Sequence, residues 1–102
     1  MVMTILEGRV AEEHWEALEK AFEEGGHYEE PGLAQSFLIH NARESDLWRI
    51  LTLWSSREAL EAMRKSNETP RGVLMFRQAH AEPVLSIYDV VEQIDAREHQ
   101  HH

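Results

Sequence analysis

The chain has 102 residues, 42% of them apolar and 28% charged, with nineteen acidic and ten basic residues and a net charge of -9. That balance argues against nonspecific binding to nucleic acid or an anionic membrane, since both depend on clustered Lys and Arg. Cysteine is absent, which excludes disulfides, thiolate metal sites and cysteine nucleophiles and fits a reducing cytoplasm.

At this length one domain is expected, spanning residues 1–94 and followed by a polar tail, 95–102, read as a disordered end or purification remnant. No apolar run approaches the roughly 20 residues of a membrane helix, and no signal peptide is read at the N-terminus.

Residues 1–10 read as a first strand, with Val2, Thr4, Leu6 and Gly8 on one face and Met3, Ile5, Glu7 and Arg9 on the other. Residues 12–24 read as an amphipathic helix with Trp15, Leu18 and Phe22 on its buried stripe. Gly25 and Gly26 end it, because glycine accepts the left-handed conformation of a helix C-terminus. His14 and His27 flank this helix in acidic surroundings and suggest no catalysis.

Pro31-Gly32 precedes a second strand, residues 33–41, with Leu33, Gln35, Phe37 and Ile39 sharing a face. A polar turn over 41–46 makes a hairpin with the third strand, residues 47–54. That strand is apolar at almost every position, the pattern of a strand covered on both faces. Ser55 and Glu58 fit a capping box opening a second helix, with Ala59, Leu60 and Met63 as its buried stripe. Residues 67–70 break that helix, 72–78 form a short further turn, and 83–94 read as a long fourth strand.

The order is the split βαβ pattern of a ferredoxin-like α+β fold: βαββαβ, a four-stranded antiparallel sheet with two main helices on one face. The other sheet face would be left bare, drawing on residues such as Leu38, Leu47, Leu51, Leu53, Leu85, Ile87 and Val91 or their alternates. Sheet-to-sheet homodimerisation is the simplest way to cover such a patch.

Several residues are candidates for chemistry. His80 follows a short apolar segment and is either a general base or axial ligand, or a solvated structural histidine. His40, at the end of the second strand, is placed either at a pocket mouth or on the surface. Trp48 and Trp54 share a face with Ile50 and Thr52, and serve either an aromatic-binding pocket or core and dimer packing. Arg49 is a lone cation in an apolar strand; it needs a partner such as Asp89 or Glu7, or an anionic substrate oxygen. Phe37, Met63, Phe76 and Tyr88 complete the candidate lining. No metal site is expected, since no ligand motif is present.

Pro31-Gly32-Leu33, the run from Trp54 to Leu60, and His80-Ala81-Glu82-Pro83 together resemble the antibiotic biosynthesis monooxygenase superfamily, the dimeric α/β-barrel proteins. The resemblance covers about residues 1–94 and implies a homodimer with a pocket between helices and sheet in each subunit. It implies a cofactor-independent monooxygenase acting on a small aromatic or quinol-type substrate, with no cofactor. The alternative is a non-catalytic protein binding a small hydrophobic molecule or haem. The haem-degrading members carry an Asn on the first strand, a Trp on the second helix and a His beyond it. Here Asn occurs only at 41 and 67, Met63 stands near the Trp position, and His80 falls several residues late.

Overall fold

A computed structural model describes residues 1–25, 31–66 and 69–95. The Gly26 and His27 readings, and the tail from residue 96, lie outside the described residues. The elements run β1 (Val2–Arg9), a short 3-10 turn (Glu12–His14), α1 (Trp15–Gly25), β2 (Leu33–His40), β3 (Leu47–Trp54), α2 (Arg57–Lys65), α3 (Arg71–Gln78) and β4 (Val84–Asp89). The strands form one antiparallel sheet in the order β2-β3-β1-β4, the ferredoxin-like α+β arrangement.

The period of two along each strand decides the layers. Val2, Thr4, Leu6 and Gly8 of β1 oppose Trp54, Thr52, Ile50 and Trp48 of β3, and all eight except Thr52 are buried. This face carries the helices. Phe76, Leu18, Leu60 and Val10 are its most deeply buried side chains. The Phe76 ring lies over Gly8, where a Cβ would stand 2.9 Å from two ring atoms. Glycine is thus what lets α3 approach β1.

The opposite face is uncovered. Met3, Ile5, Leu51 and Leu53 are half-buried in its centre, and Phe37 (46% exposed), Ile39 (42%), Val84 (67%) and Tyr88 (54%) surround them. The register therefore corrects the list of bare-face candidates. Leu51 and Leu53 belong there, but Leu38, Leu85 and Ile87 pair in phase with Ile50, Leu6 and Thr4 on the helix side. Leu47 is buried, and Val91 lies beyond the sheet.

Three further expectations shift. The second helix is capped by Ser56, not Ser55: the Ser56 hydroxyl accepts from the Ala59 N–H at 3.1 Å. The Ser55 N–H instead donates to the Gly32 carbonyl at 2.8 Å, which holds Ser55 outside the helix. Residues 71–78 form a full helix, the third, rather than a short turn. Strand β4 stops at Asp89, because its ladder is with β1, whose first paired residue is Val2.

No helix among the described residues is long and apolar enough to cross a membrane.

Candidate functional site

The sheet's helix-side face and the three helices diverge to leave a cavity of about 470 Å³, within the size range of small-molecule sites. Its floor comes from four strands: Thr4 and Leu6, Ser36, Ile50, Thr52 and Trp54, and Leu85. Its roof comes from Phe22 at the end of α1, Leu60 and Met63 of α2, and Gly72, Val73 and Met75 of α3. Gly72 keeps the roof close, since a Cβ there would meet the Leu6 Cδ1 at 2.5 Å.

The polar groups on the floor form a row. Thr4, Thr52 and Ser36 stand in register on three adjacent strands. Ser36 Oγ and Thr52 Oγ1 are 3.0 Å apart and share a hydrogen bond, and the Trp54 indole N–H donates to Thr4 Oγ1 at 3.1 Å. Trp54 is thus fixed with its ring on the cavity wall. Two arginines, Arg64 from the end of α2 and Arg71 from the start of α3, line the cavity where it meets solvent. Among the described lining residues these are the only ionisable groups.

The sequence-derived candidates divide. Trp54 and Met63 line the cavity. Phe37 and Tyr88 do not: they project from the bare face, opposite Leu51 and Met3. Phe76 is fully buried in the core against Gly8. Trp48 lies at the far end of β3, where His40 stacks on it at 4.0 Å and Trp15 packs at 5.9 Å. The His40 Nε2–H donates to the Ser45 carbonyl at 2.6 Å, so this imidazole is committed to the β2–β3 turn. Arg49 is on the bare face, paired with Glu7 (Nε to Oε1 2.6 Å), the cross-strand option.

His80 is outside the cavity lining as well. It closes α3 with a left-handed backbone (φ 58°), donating its N–H to the Arg77 carbonyl, and its ring stacks on His14 at 4.3 Å. Arg77 and Glu82 span this turn with two hydrogen bonds of 2.8 and 3.0 Å. Those bonds hold the Glu82 carboxyl below the usual carboxylate range. A lowered carboxylate pKa gives stability that is present above its ordinary value and lost as pH falls through the lowered one. In Arg77→Gln the Glu82 titration, followed by NMR, is expected to return to the ordinary range; an unchanged midpoint would refute the assignment.

The row of hydroxyls and the two arginines were not singled out by sequence. The signal was present but faint: Thr4 and Thr52 interrupt otherwise apolar faces, and Arg64 and Arg71 look like solvated helix ends.

No group of three or more His, Cys, Asp or Glu side chains suited to a metal ion occurs among the described residues. Among the described lining residues, which include no histidine, cysteine or tyrosine, the thioethers of Met63 and Met75 are the side chains able to ligate a haem iron.

Residues 1–81 match the family model described as antibiotic biosynthesis monooxygenase. No curated protein sequence matches the chain. Among solved structures, a protein of Deinococcus radiodurans assigned to antibiotic biosynthesis monooxygenases is 15% identical, with 93% of this chain and 97% of that one covered at a TM-score of 0.70. SnoaB, a cofactor-independent oxygenase from Streptomyces nogalater, is 11% identical over 91% and 95% of the two chains, with a TM-score of 0.68. An MhuD variant with two manganese protoporphyrin IX molecules bound per active site is 20% identical over 93% and 99%, with a TM-score of 0.70. At these identities the structural likenesses speak for the fold alone.

Proposed function

The chain belongs to the antibiotic biosynthesis monooxygenase family, and from that premise we propose that its cavity binds a small aromatic, quinol-type molecule and oxygenates it without a cofactor. The observation that carries this reading is the cavity itself. Trp54, Met63, Phe22 and Met75 offer flat or adaptable apolar surface, and the Thr4–Thr52–Ser36 row offers hydroxyls to a substrate oxygen.

The electron balance needs no redox partner. A quinol and O2 together contain the atoms of a hydroxyquinone and one water: one oxygen atom enters a ring C–H, the other leaves as water, and the substrate supplies all four electrons. The protein's contributions are burial of the ring, orientation by the hydroxyl row, and exclusion of bulk water. Deprotonated quinol is the better reductant, and two nearby guanidinium groups, Arg64 and Arg71, favour that anion.

The test is oxygen consumption with a panel of hydroquinones. Turnover above background that falls at least about tenfold in Thr52→Val/Ser36→Ala supports the reading. No turnover across the panel would sink it.

A second reading, binding without turnover, draws on the described lining residues, among which there is no carboxylate or imidazole to act as general acid or base. Native mass spectrometry of freshly purified protein separates the two, since a retained and unaltered ligand speaks for binding.

We also propose that the bare face is covered by a second copy of the chain. Phe37, Ile39, Leu51, Leu53 and Tyr88 form one apolar surface on a single sheet face, the kind of patch that marks an interaction site. The Glu7–Arg49 pair lies within it and would help set how two copies register.

A further inference from the structure

Among the described residues, the cavity lining has the opposite charge to the chain as a whole. The chain has nineteen acidic and ten basic residues, so the charged groups in a surface concavity chosen at random would be mainly carboxylates. Pocket-lining residues here include Arg64 and Arg71 and, among those described, no Asp or Glu at all. The two arginines come from different helices, one closing α2 and the other opening α3, and both are exposed at the cavity.

The other described lining residues are uncharged: apolar side chains, hydroxyls and the amide of Gln35. Arg64 also pairs loosely with Glu61 on the solvent side (4.0 Å), a contact weak enough for an entering anion to replace.

We propose that the ligand of this cavity is an anion: an apolar body that enters the cavity and a single acidic group that stays at its mouth between Arg64 and Arg71. This rests on the reading of the cavity as a small-molecule site and narrows it to acidic ligands. Guanidinium groups suit the task because their fixed forks meet oxyanions in two-point contacts and remain charged at any working pH. The chain's net charge of -9 adds discrimination, since it disfavours nonspecific binding of a negatively charged molecule elsewhere on the surface.

A matched pair of fluorescent probes tests the charge separately from the cavity. One is 8-anilinonaphthalene-1-sulfonate and the other is N-phenyl-1-naphthylamine, the same body without the sulfonate. The sulfonate probe is expected to bind about tenfold more tightly at low salt, with the advantage shrinking at about 1 M NaCl.

In Arg64→Gln/Arg71→Gln that advantage is expected to vanish while the neutral probe keeps its affinity within about twofold. Arg64→Lys/Arg71→Lys should restore most of it. Both side chains are exposed, so a folded double variant is expected by circular dichroism. Equal affinities in the unaltered protein, or a preference that survives loss of both arginines, would overturn the anion assignment and leave the cavity reading standing. If neither probe binds, both readings fall.

Discussion

Replacing Gly32 by alanine is expected to destabilise the protein by about 2–5 kcal/mol, a large part of the stability of an ordinary domain. Two costs add. Gly32 has φ 81°, where an L side chain costs roughly 1–2 kcal/mol. An added Cβ would also stand 2.2 Å from the Ala59 Cβ, and such overpacking costs about 1–3 kcal/mol.

The two costs can be told apart. Ala59→Gly removes the atom that is struck but leaves the backbone strain, so Gly32→Ala/Ala59→Gly should be more stable than the sum of the single changes by about 1–3 kcal/mol. Thermal unfolding of the four proteins measures this coupling, with a fall in Tm of roughly 10–40 °C for Gly32→Ala alone. Strictly additive effects would show that the contact with α2 is not what Gly32 permits. The position matters because the Gly32 carbonyl accepts the Ser55 N–H and so sets where α2, one side of the cavity, begins.

Leu51→Asp is expected to convert a dimer into a monomer. Leu51 lies at the middle of β3 on the bare face, between Ile5 of β1 and Phe37 of β2. In a two-fold sheet-to-sheet dimer, one substitution places two carboxylates in an apolar interface. An unpaired buried charge is costly enough that the dissociation constant should rise at least about 100-fold. Leu51→Ala, which removes packing without adding charge, should weaken association far less. Light scattering across about 1–100 μM reads the outcome. A monomeric unaltered protein, or a Leu51→Asp protein that stays dimeric, would refute this mode of assembly. The fold itself should survive, since Leu51 is only half-buried within one chain.

The element order and the antiparallel pairing were legible because they rest on short-range patterns: the alternation in β1, the stripe of α1, and the polar turn over 41–46. Alternation also placed Trp48, Ile50, Thr52 and Trp54 on one face, as the register has them. Alternation does not say which face meets the helices when both faces of a strand are apolar. In β2 the more apolar set, Phe37 and Ile39, faces outward, while Leu38 shares the helix side with Ser36 and His40; only pairing with β3 decides this.

The Ser55 reading failed for a related reason. Two adjacent serines are equal as caps, and a distant carbonyl, that of Gly32, decides between them. The site was the least legible part. Its hydroxyls sit on three strands and its arginines on two helices, so no local spacing joins them. His40 and His80, conspicuous as single residues, are instead engaged in a turn and a helix terminus.

Of the chain's three tryptophans, Trp54 is on the cavity wall, while Trp15 and Trp48 pack together at the other end of the sheet beside His40. The molecule thus contains two optically separate reporters. A molecule entering the cavity touches one emitter and not the other pair, whereas loosening at the His40 end changes the surroundings of the pair and spares the first. With Trp54→Phe the occupancy signal should go silent while unfolding can still be followed through Trp15 and Trp48, so comparison with the unaltered protein assigns each change in emission to the site or to the fold without a label.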